Sequence, residues 1–103
     1  MEMKNYHESV PNMDILRAKT RKGSMKIFED RKARYIGAIA KEMWRSAEIG
    51  KNEIHYQTTI GDSITKRAFE QALEEFKNQG YTVSYNLESN LGASVAISWP
   101  LDL

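Results

Sequence analysis

Few residues of this chain could carry chemistry. His7 and His55 are its only histidines and cysteine is absent. A zinc or non-haem iron site needs three or four convergent ligands, and two separated histidines do not supply them. Both read as surface residues. The carboxylates of Glu70, Glu74 and Glu75 fall near Lys66 and Lys77 at helical spacings, which makes surface ion pairs worth about 0.3–0.5 kcal/mol each. A glycosidase-like pair would have to project from separate elements across a cleft, and these do not. The turn IGDSIT, residues 60–65, leads into a helix N-terminus where backbone N–H groups could hold an anion. It lacks the glycines and the lysine of a phosphate loop, and Asp62 at the cap would repel phosphate. No serine stands in a Gly-x-Ser-x-Gly context. The sequence predicts a protein that is not an enzyme and takes no metal or cofactor.

What remains is charge. The stretch RAKTRKGSMKIFEDRKAR, residues 17–34, holds eight Lys or Arg against Glu29 and Asp30, in a chain of net charge +1. Residues 1–51 carry +5 and residues 52–103 carry −4. Such asymmetry suits a polyanionic partner, or two faces of opposite sign that pair between copies of the chain. Phosphate binding needs only Lys and Arg with reach. A pI of about 8.0 is nevertheless low for a dedicated nucleic-acid domain, where values above ~9 are the guide. The expected partner surface comprises Ile15, Leu16, Arg17, Arg21, Lys22, Arg31 and Arg34. A protein partner is the leading reading and nucleic acid the alternative.

The elements that must position this surface follow from periodicity. Residues 1–11 lack a period and end at Pro11, which disfavours helix at Val10; they read as an extended arm. Asn12 is a good N-cap and Gly23 a stop, so a short basic helix is expected between them. Its few apolar residues, Met13, Ile15 and Leu16, cannot hold it alone, so it must dock on something. Ser24 then caps a second helix to about Glu48, with Ile27, Phe28, Tyr35, Ile36, Ile39, Ala40, Met43, Trp44 and Ala47 at spacings of three and four. Residues 53–60 alternate as a strand, Asp62 caps a further helix to about Gln79, and residues 81–87 and 93–99 alternate again around the turn ESNLG, residues 88–92. The fold class is α+β: a short N-terminal helix plus a long helix, then β-α-β-β, with a three-stranded mixed sheet packed on the helices. The strand–helix–strand unit implies parallel pairing. Residues 1–23 form an arm and short helix, and residues 24–103 a single domain. The outer sheet face should show His55, Gln57, Thr82, Ser84, Asn86, Ser94 and Ser98, which are polar, short and mostly uncharged.

A chain of 103 residues builds one core and leaves little room for a deep cleft. No apolar run approaches the ~18–20 residues of a membrane-spanning helix, and MEMKNYHESVPN lacks the apolar segment of a secretory signal. The expectation is a cytoplasmic protein that does not enter a membrane.

Three segments, AIAKEMWRSAEIGKNEIHYQ, ALEEFKNQGYTVSYN and VAISWP, together resemble the small uncharacterised orphan proteins of tailed bacteriophages. The resemblance covers about residues 36–100 and leaves the arm and the basic stretch unmatched. It carries over no catalytic residue. It implies a viral setting in the host cytoplasm or the virion, with the chain acting as a minor virion component or as an accessory protein that binds a host factor, and as a homo-oligomer.

Overall fold

The computed structural model describes residues 10–87 and 92–101. The expected arm, apart from Val10 and Pro11, and most of the expected turn at 88–92 lie outside the described residues. The elements are α1 (Met13–Glu48), β1 (Glu53–Thr59), α2 (Ser63–Asn78), β2 (Thr82–Leu87) and β3 (Gly92–Ser98), an α+β arrangement.

The first correction concerns α1. The two helices expected on either side of Gly23 are one continuous helix of 36 residues. Asn12 caps it, its side chain accepting hydrogen bonds from the backbone N–H groups of Asp14 at 2.9 Å and Ile15 at 3.1 Å. A glycine stop works only when the glycine turns left-handed and the last carbonyls find donors. Gly50 does this, with φ 83°, Gly50 N–H donating to Ala47 and Lys51 N–H to Ser46. Gly80 does the same after α2 with φ 97°, and Tyr81 at the next position packs edge-on against Phe76. Gly23 has no positive φ. Its neighbours Arg21, Lys22, Met25 and Lys26 are good helix formers. Carrying one glycine through costs roughly 1 kcal/mol, less than breaking and nucleating a helix again.

The second correction concerns the sheet. Its order is β1-β3-β2 and both pairings are antiparallel, so it is not mixed. β1 and β2 are joined through α2 and run in the same direction, but they are not neighbours; β3 fills the gap between them. The centre goes to the strand with the most apolar inward row, Ala93, Val95 and Ile97, all buried. The more polar strands take the edges. Inward rows run across the sheet as Ile54–Ile97–Val83 and Tyr56–Val95–Tyr85, with the β3 residue paired to each edge strand. Outward rows pair His55 with Ala96 and Ser84, and Gln57 with Ser94 and Asn86, so the short polar face expected from the sequence is present.

α2 lies on the inner face and buries Ala68, Phe69, Ala72, Leu73 and Phe76. α1 adds Ile39 and Met43 to the same cluster, with Tyr35 and Ile36 at its margin. Ser46 Oγ donates to the carbonyl of Glu53 at 2.7 Å, tying the end of α1 to the start of β1. Asn52 and Trp99 exchange two further bonds that lengthen the β1–β3 ladder.

Length decides what α1 can bury. Thirty-six helical residues span about 54 Å, while the seven residues of β3 span about 24 Å. The helix outruns the sheet, and from Met13 to Ile27 the only partly buried residue is Ser24. Ile27, expected to face the core, is therefore exposed. So is Trp44, 72% exposed, because it lies about 140° around the helix from Ile39. Ala47 is exposed as well.

Candidate functional site

The free half of α1 is the candidate site. It presents Met13, Ile15, Leu16, Met25 and Ile27 to solvent. Interleaved with them are Arg17, Lys19, Arg21, Lys22 and Lys26, none of which makes an ion pair among the described residues. Burying an exposed Met, Ile or Leu yields about 1.5–3 kcal/mol. A run of five such residues on one projecting helix is thus a large unused driving force for association. Thr20 Oγ1 donates back to the Leu16 carbonyl at 2.9 Å, so its hydroxyl is satisfied within the helix.

Two of the expected partner-binding residues lie elsewhere. Arg31 Nη1 donates to Asp62 Oδ2 at 2.9 Å and to Thr65 Oγ1. Asp62 Oδ1 accepts the Thr65 backbone N–H at 2.7 Å and so caps α2. These contacts hold the Asp62 carboxyl at about 2, below its ordinary 3.8; the Thr65 backbone N–H contributes most, then the Thr65 hydroxyl, then Arg31. Lys32 reaches Glu75 at 3.2 Å. Both cations therefore latch α1 to α2. Arg34 lines an open cleft of about 540 Å³ with Tyr35, Tyr56, Thr59 and Asp62. The cleft begins where the overhang ends.

The seven predicted residues thus divide by position. Ile15, Leu16, Arg17, Arg21 and Lys22 share the overhang, Arg34 sits at its foot, and Arg31 is engaged within the chain. The seven omit Met13, Met25 and Ile27, which the overhang also exposes; Ile27 reads as core from the sequence because a three-four spacing is equally that of a buried face. Comparing the length of the apolar-patterned helix with the length of the strands would have found them.

Two other hollows lie away from the overhang. One of about 250 Å³ is lined by Trp44, Met43, Phe76, Tyr81 and Trp99 at the far end of the molecule. The other, about 310 Å³, lies on the outer sheet face beside His55, Gln57 and Asn86. Among the described residues no group of three or more His, Cys, Asp or Glu could hold a metal ion, and no helix is long and apolar enough to cross a membrane. No family model, no curated protein and no solved structure matches this chain.

Proposed function

We propose that this chain is a non-enzymatic binding protein whose N-terminal half-helix, residues 13–27, holds a protein partner. The single observation that carries the reading is the apolar overhang: Met13, Ile15, Leu16, Met25 and Ile27 are exposed on a stretch of helix that the other described residues leave bare. Isolated helices of this length are marginal in water. A surface that stays helical only by extension from a packed domain suits a preorganised docking rod, which spares a partner the entropy of ordering it. In the viral setting implied by the phage resemblance, the partner is a virion component or a host factor.

Nucleic acid is the second reading, and the eight cations of residues 17–34 favour it. Phosphate contact, however, gives no role to the exposed apolar residues between those cations.

The two readings separate by mutation in the full chain. Changing Met13, Leu16 and Ile27 together to Ser removes apolar surface without touching charge. Affinity capture from host extract, quantified by mass spectrometry, should then lose the partner retained by the unaltered protein. Capture that survives this change, is sensitive to nuclease and is lost on reversing Arg17 and Arg21 to Glu would replace protein binding with nucleic-acid binding.

A further inference from the structure

The overhang has a finer pattern, and resting on the protein-binding reading it identifies the kind of partner. Met13, Leu16, Thr20, Gly23 and Ile27 follow one another at spacings of three and four. At about 100° per residue they fall within one stripe some 80° wide, the geometry of a coiled-coil seam. Lys19 and Lys26 border the stripe on one side, and Arg17 borders it on the other. The hollow in which Met25 and Phe28 meet Ile64 of α2 lies on a different side of α1, so α2 does not cover the stripe.

Gly23 lies in the middle of this stripe. A glycine inside a helix costs roughly 1 kcal/mol against alanine. Among the described residues a Cβ at Gly23 would meet nothing within 4 Å, as at Gly37, and the missing side chain leaves room on the stripe for the close approach of another backbone.

Charge decides which backbone. No acidic residue borders the seam between Met13 and Ile27; Asp14 lies on another side of the helix. Two copies paired antiparallel bring Lys19 of one toward Lys26 of the other, and paired in parallel neither lysine meets an acidic residue of the 13–27 overhang, so seam-to-seam pairing is disfavoured. An occupant with carboxylates on its flanks turns each of these positions into an attraction, and Arg34 at the foot of the overhang extends the row.

We infer that the seam Met13–Leu16–Thr20–Gly23–Ile27 docks an amphipathic helix of another protein, one whose apolar stripe is flanked by Asp and Glu. Seam-to-seam pairing with a second copy is not the arrangement inferred. The overhang offers a partner helix a run of about 22 Å, a little over two heptads.

The test uses the full chain and two fluorescent three-heptad synthetic helices. Both carry leucine along the seam; one has glutamate at the flanking positions and the other lysine. Fluorescence anisotropy should show the glutamate helix bound, the lysine helix at least about tenfold weaker, and the bound complex weakening as salt rises. Leu16→Asp and Ile27→Asp should each reduce binding of the glutamate helix by about tenfold or more, with an unchanged melting temperature. The double change Lys19→Glu and Lys26→Glu, which leaves every apolar contact in place, should transfer preference to the lysine helix. Equal binding of both helices, or binding of neither, would overturn the inference. Sedimentation showing a dimer abolished by Leu16→Asp, with no glutamate helix bound, would overturn it while keeping the protein-binding reading. Binding of a DNA duplex that is lost on Lys19→Glu and Lys26→Glu but kept by Leu16→Asp would overturn both.

Discussion

The two halves of α1 have the same backbone and opposite circumstances. Residues 35–46 lie on α2 and the sheet, and their spacing resolves into a buried face, Ile39, Met43 and Ser46. Residues 13–27 continue the same helix past the end of the sheet, and their apolar residues stay in water. Each half even contains one glycine with open space around it, Gly37 and Gly23. One half contributes its apolar residues to the core and the other leaves them in water. A mutation should therefore have unlike effects according to which half it strikes.

The sharpest contrast is between core and overhang truncations. Phe69 is fully buried under α1, edge-on to Tyr35 at 5.1 Å, and Phe69→Ala should remove about 3–5 kcal/mol. Ile39→Val, a milder cut at another fully buried residue, should remove about 0.5–1.5 kcal/mol. Leu16→Ala and Ile27→Ala should change unfolding free energy by less than about 0.5 kcal/mol, as surface substitutions do. Urea titrations of the four variants check this. A large loss at Leu16 would mean that the overhang is packed on something within the molecule or on a second copy.

The two glycines give a smaller effect of opposite sign. Gly37→Ala meets no neighbour within 4 Å and should raise stability by roughly 1 kcal/mol, the difference in helix propensity. Gly23→Ala should add helical signal in circular dichroism while moving the global melt less, because the overhang can fray without unfolding the domain. Equal gains in melting temperature at both positions would erase the distinction between the halves.

The smallest effect sits at the junction. The Asp62 carboxyl, held at about 2 rather than 3.8, binds its proton less readily in the folded state than in the unfolded one. Its contribution is present above about pH 3.8 and is lost as pH falls toward about 2. Melting temperature should fall with acid across that window, and Asp62→Asn should flatten that part of the profile. An unchanged profile would contradict the hold that Thr65, and after it Arg31, exerts on the Asp62 carboxyl.

Much of the scaffold was legible in the sequence because its signals are local. Asn12 and Asp62 are caps, Gly50 and Gly80 are stops, and the three strands alternate as their inward rows require. Local signals also misled. Gly23 followed by Ser24 has the letters of a stop and a start, but a stop depends on backbone conformation and donors that letters do not specify. The central position of β3 depends on pairing across long separations, and so does the Arg31–Asp62 ion pair between residues 31 positions apart. At the site, the cations of residues 17–34 were legible from composition alone. The bare seam between them was not, because exposure followed from the mismatch between one long helix and short strands.

Hydrogen exchange read by mass spectrometry, on the monomer alone and with the glutamate-flanked helix added, tests the central claim most directly. The account predicts rapid exchange at residues 14–27 and slow exchange at residues 36–46 in the free protein, with the added helix slowing only the first segment. Residues 14–27 as protected as residues 36–46 in the free monomer, or protection by the helix appearing elsewhere, would contradict it.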